Sequence, residues 1–183
     1  MATFYDQLED KHLDFIAAQK MFFVASAPAG AEGHVNLSPK GYDSFKVTGP
    51  NEVLYLDLGG SGIETLAHVK ENGRITFMFC AFEGKANILR IYGRARATSF
   101  NEPGFAEKLA LFDGYDRART IFTVAVEKVQ DSCGWGVPFY DFLGERDQLK
   151  RAHAHAEPDA WAEHRLKTNA TSIDGLPGLE RVE

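Results

Sequence analysis

The sequence predicts a mainly β protein, a closed antiparallel barrel with helices at its periphery. Three observations lead there. Six short runs, either apolar or alternating, read as strands set off by turn residues. Only a few helical segments intervene, whereas a parallel α/β sheet would carry a helix after nearly every strand. At 183 residues the chain is sized for one domain, 1–183, with room for a real hydrophobic core.

The elements follow in chain order. Leu8, His12, Phe15 and Ile16 recur at helical spacing, so residues 1–20 are expected to form an amphipathic helix. "MFFVASAP" is a buried strand that ends at Pro28, and "HVNLSPK" returns as the second strand. "NEVLYLDL" is the third, followed by a helix over residues 61–71 that stops at Asn72-Gly73. "RITFMFCAF" is apolar throughout, as a strand buried on both faces requires. "ILRIYGRARATS" alternates, "EPGFAEKLALF" makes a short helix and "RTIFTVAVEKVQ" is the last strand. The barrel core thus spans 21–130, and 131–183 is a loop followed by a helical extension.

Composition narrows the function. The net charge is −6 and no basic run is present, which argues against nucleic acid as a partner. Cys80 and Cys133 form no CxxC pair and read as plain reduced thiols. The acidic N-terminus has no signal-peptide pattern, and the apolar runs are only strand-sized. A cytoplasmic protein away from membranes is expected.

One corner invites an anion. In "DLGGSGIETLAHVKENG", Ser61 and Glu64 have capping-box spacing, each expected to satisfy the other's backbone amide. Gly59, Gly60 and Gly62 clear side chains from the helix start, leaving bare amides and a favourable dipole. The same glycines would also suit a simple strand-to-helix turn. Asn36, Ser38 and Lys40 share one face of their strand, opposite Leu37. Arg90, Tyr92, Arg94 and Arg96 share a face of theirs, and Arg90, flanked by apolar residues, is the one expected to be buried. Trp135, between two glycines, is placed to stack on an aromatic ligand or to anchor an interface. His153 and His155 lie two apart on a helix and face different ways, so no metal set is read. His68 is placed on the helix surface, and His34 has no evident catalytic partner.

Taken together, "VNLSPKG", "LYLDLGGSGIETLAHVKENGRITFMFCAF" and "ILRIYGRA" resemble the pyridoxamine 5′-phosphate oxidase-like family of FMN-binding split barrels. The ending "CGWGVPFYDF … NATSIDGLPGL" is similar to one branch of it. The resemblance implies a six-stranded antiparallel split barrel and a homodimer holding two FMN molecules in shared clefts. It places Asn36, Ser38 and Lys40 near flavin and ribityl-phosphate, and Ser61, Gly62 and Thr65 at the phosphate. Leu56 and Asp57 would line the ring, with Arg90 within reach and Trp135 closing over cofactor or partner. In the oxidase proper an Arg-Lys pair meets the phosphate where Glu64 and Thr65 stand here. Contacts must therefore come from Lys40, Arg90, hydroxyls and helix amides.

The expected function is an FMN-dependent oxidoreductase acting on a small organic substrate, with Lys40 stabilising the reduced, anionic flavin. No residue qualifies as a general acid or base. Two rivals remain: a reductase using the deazaflavin F420, and a non-catalytic flavin or haem module with His34 and His68 as candidate haem ligands.

Overall fold

The computed structural model describes residues 2–182. Its centre is one antiparallel sheet. In chain order the strands are β1 (Thr3–Tyr5), β2 (Phe22–Ser26), β3 (Asn36–Lys40), β4 (Phe45–Gly49), β5 (Glu52–Asp57), β6 (Arg74–Cys80), β7 (Ile88–Ser99) and β8 (Thr120–Ser132). Across the sheet they run β3-β2-β6-β7-β8-β5-β4. β5 pairs with Thr120 to Ala125 of β8, and β1 extends the same edge by pairing with Val129 to Asp131.

The sheet curls until its two wings touch. Phe45 of β4 lies 5.0 Å from Phe77 of β6, and Tyr55 of β5 lies 5.7 Å from Phe22 of β2, ring centroid to centroid. These rings, with Val24, Leu89, Ile91, Phe122 and Val124, form the main core. Edge-on aromatic contacts of this kind add to the burial of the rings themselves.

Closure is incomplete, which corrects the closed barrel expected from the strand pattern: β3 and β4 end the run of paired strands and do not pair with each other. Pro39, with no amide to donate, sits on the edge strand β3, where the missing donor costs no ladder bond. Among the described residues there are eight strands rather than six. β1 is three residues long and forms only because β8 offers it an edge. β4 pairs with β5 alone and is irregular between Val47 and Gly49. The expected helix over 1–20 is correspondingly shorter, α1 (Asp10–Ala18). It is tied to β8 by His12, buried, whose Nε2 lies 3.3 Å from Asp131.

α2 (Glu64–Asn72) packs Leu66, Ala67 and Val69 inward and ends at Gly73, whose left-handed φ of 73° lets its amide donate to Val69 O. α3 (Phe105–Leu109) covers the outer face of β5, where Leu54, Leu56 and Leu58 meet Phe105 and Phe112 in a second core. β5 is therefore buried on both faces. α4 (Gln148–His155) and α5 (Pro158–Thr168) follow, and residues 169–180 fold back over the start of α2. Among the described residues no helix is long and apolar enough to cross a membrane.

Candidate functional site

β5 ends at Asp57, and the chain must turn from the barrel mouth into α2 within six residues. Gly59, at φ 88°, makes the turn in a region that other residues resist. Opposite this turn lies β3, with Asn36, Ser38 and Lys40 spaced by two and so on one face. Between turn and strand is a cavity of ≈ 190 Å³ lined by Asn36, Ser38, Lys40, Asp57, Ser61, Gly62 and Thr65, together with Gly59, Gly60, Glu64 and Arg119. It opens into a groove of ≈ 520 Å³ that shares Asn36, Ser61, Gly62 and Glu64 with it and continues past His34 and Ile173.

The polar side chains are already organised. Asn36 donates through Nδ2 to Thr65 Oγ1 (3.0 Å) and accepts from Ser38 Oγ (3.2 Å). Behind Asn36, Ser26 Oγ lies 3.0 Å from Nδ1 of His68. His68 is fully buried, not on the helix surface as the sequence suggested, because α2 lies against β2, β6 and β7 and turns this position inward. Burial lowers the His68 pKa despite the nearby carboxylates of Asp174, Glu64 and Glu71, so the ring is held neutral more firmly than a free histidine.

The floor of the cavity is a buried ion pair. Arg119, just before β8, donates to Asp57 Oδ2 through Nη2 (2.6 Å) and Nε (3.0 Å). Burial alone would raise the Asp57 pKa. The charges of Arg119 and Lys40, with hydrogen bonds from Arg119 and the Gly59 amide, outweigh it and hold the carboxyl below its ordinary value. Lys40 has no ion-pair partner within reach among the described residues. Its charge is thus left to face the cavity.

The glycine turn differs from the expected capping box. α2 begins at Glu64 with Ile63 as N-cap and no side-chain cap. Glu64 instead accepts from the amide of Ile173 (3.3 Å), and the Ser61 carbonyl receives Asn169 Nδ2 at 3.3 Å. The C-terminal segment thus takes the Glu64 carboxylate that the box would have used. A Cβ on Gly62 would collide with the Glu64 carboxylate, whereas Gly60 faces open space.

Three of the residues selected from sequence lie elsewhere. Leu56 points into the second core, on the face of β5 opposite Asp57. Arg90 is half-buried rather than buried, because its strand shows that face to the outside; it donates to Ser132 Oγ (3.2 Å). It sits nine positions along β7 from Ser99, the residue that pairs across β8's first residue, Thr120, so its end of the sheet is the far one. Trp135 is 86% exposed on its loop. His34, which lacked a partner in sequence, pairs with Asp174 (Nδ1–Oδ1 2.6 Å).

Sequence reasoning missed Arg119, Arg165 and Asn169, which hold the turn from behind. A usable signal existed for the first. Asp57 directly follows the apolar run Val53–Leu56 and Arg119 directly precedes the largely buried start of β8, and an ionised side chain next to such segments needs a partner.

The cavity, with amides, hydroxyls and one free ammonium converging at a helix start, has the donor set that a phosphate ester requires. Comparisons with known proteins agree with this architecture. The sequence profile described as pyridoxamine 5′-phosphate oxidase matches residues 8–133. The pyridoxamine 5′-phosphate oxidase family protein ustO of Aspergillus flavus is 36% identical over 197 residues, spanning 98% of this chain and 78% of its own. Among solved structures, HupZ of Group A Streptococcus superposes with a TM-score of 0.52 at 22% identity, covering 67% of this chain and 91% of its own. A general stress protein 26-related protein from Clostridium acetobutylicum, of the pyridoxinephosphate oxidase family, gives 0.50 at 15% identity, covering 76% and 94%. The two structural likenesses speak to the fold. With two thirds of its length matched by the profile and nearly all of it by ustO, the chain belongs to the pyridoxamine 5′-phosphate oxidase family and has its split-barrel fold.

Proposed function

We propose that this protein binds FMN in the cavity between β3 and the glycine turn and uses it as an oxidoreductase on a small organic substrate. The observation that carries the reading is the convergence of Asn36, Ser38, Lys40, Ser61, Gly62 and Thr65 on one cavity at the start of α2. Bound flavin would supply the redox chemistry, accepting or donating a hydride. The protein's part is to bind and orient. Thr65 and Ser61 offer hydroxyls and the turn offers amides to the phosphate, while Lys40 places a positive charge against the anionic cofactor. Asp57, neutralised by Arg119, presents no net charge to repel it.

The volume of ≈ 190 Å³ suits the phosphate and the adjoining polyol. Pockets that bury whole drug-sized ligands span roughly 300–1,000 Å³. The adjoining groove and a second copy of the chain would complete the site, as the family's homodimeric clefts imply. In that assembly the half-buried Arg90 and the exposed Trp135 would serve from the outer surface. Trp135, Phe139 and Leu143 are 86%, 79% and 97% exposed, an apolar arm that calls for a partner surface. The free thiols of Cys80 and Cys133 suit a cytoplasmic location.

Of the rival cofactors, haem loses one candidate ligand, since His68 is sealed beneath α2. The deazaflavin would need a basic groove for its acidic tail, and Glu64 and Asp174 line or border the available one. A visible spectrum of purified protein tests the proposal. A yellow preparation, or one that turns yellow after incubation with FMN and gel filtration, then bleaches with dithionite and recovers in air, is expected. A sharp Soret band, or protein that stays colourless with FMN, would refute it.

A further inference from the structure

The turn between β5 and α2 shows its carbonyl oxygens to the protein interior. Gly62 O accepts from Arg119 Nη1 at 2.7 Å. Gly60 O accepts from Arg165 Nη1 at 2.9 Å and, more distantly, from Arg119 Nη1 and Asn169 Nδ2, both at 3.4 Å. Ser61 O accepts from Asn169 Nδ2 at 3.3 Å. Asn169 is itself fixed, because its Oδ1 takes Arg119 Nη1 at 2.9 Å and its backbone carbonyl takes the Leu179 amide at 2.8 Å. Asn169 is wholly buried and Arg119 nearly so.

A trans peptide unit is planar, with its C=O and N–H pointing opposite ways. Among the described residues no peptide is cis. Drawing the carbonyls of residues 60, 61 and 62 inward therefore turns the amides of Ser61, Gly62 and Ile63 outward. Among the described residues these amides find no protein acceptor. The arrangement is costly unless water or a ligand receives them.

We infer that Arg119, Asn169 and Arg165 are positioning residues for the phosphate end of the cofactor, acting through the peptide units of the glycine turn rather than by touching the phosphate. This rests on the flavin reading above and extends it. Where the oxidase proper puts two side-chain cations on the phosphate, this chain keeps Lys40 at the cavity, sets the guanidinium groups of Arg119 and Arg165 behind the loop, and presents backbone N–H groups. The C-terminal segment is then part of the cofactor site. Arg165 and Asn169 lie beyond the 8–133 stretch that defines the family. Lys70 helps to seat that segment, donating to Gly178 O at 2.9 Å. Gly178 has no room for a side chain against Asn169 and Ile63.

The test compares wild type with Asn169→Ala, Arg165→Met and Arg165→Lys, using FMN, riboflavin and inorganic phosphate as probes. Each variant is first checked by thermal melting. In wild type, phosphate and FMN should shift the ¹⁵N–¹H resonances of Ser61, Gly62 and Ile63. Removing a carbonyl clamp should weaken FMN and phosphate by about five- to tenfold, roughly one hydrogen bond's contribution, and leave riboflavin affinity unchanged. Arg165→Lys should recover much of the loss seen in Arg165→Met. The selective loss separates orientation of the amides from general loosening, which would weaken riboflavin equally. If Asn169→Ala does not fold, the half-exposed Arg165 carries the test.

Amide shifts with phosphate but no FMN binding would remove the flavin reading and keep the clamp. FMN bound with undisturbed amides, or variants that treat FMN and riboflavin alike, would overturn the clamp and leave the flavin reading standing. Amides silent to both FMN and phosphate would overturn the clamp as well.

Discussion

Arg119 grips Asp57 at 2.6 Å where β8 begins and its sheet neighbour β5 ends, with both side chains almost fully enclosed. The backbone repeats the link, since the Arg119 amide donates to Asp57 O at 2.7 Å. One ion pair thus ties β5, β8 and the glycine turn together. Removing one member strands the other's charge in the interior. Asp57→Asn or Arg119→Met alone should each cost about 3–5 kcal/mol of unfolding free energy in urea titrations. The double variant should lose clearly less than the sum, because no charge is left alone. Strict additivity would mean that the two side chains do not depend on each other.

Lys40 stands in a different position, because its ammonium has no carboxylate partner among the described residues and lines the cavity. Lys40→Ala should leave folding almost untouched and weaken FMN by about ten- to a hundredfold, the range for one charge-assisted hydrogen bond of about 1.5–3 kcal/mol. Fluorescence quenching of FMN on titration with protein gives the constant. The loss should shrink as salt is raised, since the wild-type contact is itself screened. Unchanged FMN affinity would take Lys40 out of the site.

Ser61 looked in sequence like an N-cap, and an N-cap serine is worth about 1 kcal/mol. In the fold its hydroxyl caps nothing, α2 starts three residues later, and the Glu64 carboxylate faces Ile173. Ser61→Ala should therefore change stability by less than about 0.5 kcal/mol, as an ordinary surface substitution does. Any effect should fall on FMN affinity. A drop of a full kcal/mol in chemical denaturation would restore the capping box.

What was readable in the chain was whatever depends on neighbours in sequence. Alternation in "ILRIYGRARATS" marked which residues of β7 face the core, and Asn72-Gly73 marked where α2 ends. Spacing by two put Asn36, Ser38 and Lys40 on one face, and that face does meet the glycine turn. The rest was set by distant partners. β1 exists because β8 extends past β5, and the Glu64 carboxylate of the expected capping box is taken by Ile173, which arrives from more than a hundred residues away. His34 acquires Asp174 across 140 positions in the same manner. Local propensity has no access to such competitors, and the site's rear wall, Arg119, Arg165 and Asn169, is built entirely from them.

His68 gives a pH signature that reports on the wall behind Asn36. Its ring is enclosed, bonded to Ser26 at 3.0 Å, and its Nε2 has no partner among the described residues. Burial depresses its pKa, while Asp174, Glu64 and Glu71 push the other way with less effect. The unfolded chain, with a histidine pKa of about 6.5, takes up the proton more readily than the native protein. Stability then rises with pH: the contribution is complete above about 6.5 and is lost as pH falls below that toward the native value. His68→Gln, which cannot charge, should flatten the dependence of unfolding free energy on pH below about 6.5, measured by urea titration at matched ionic strength. The slope above that window should be the same in both proteins. A variant that keeps the wild-type slope throughout would show that His68 is free to protonate in place.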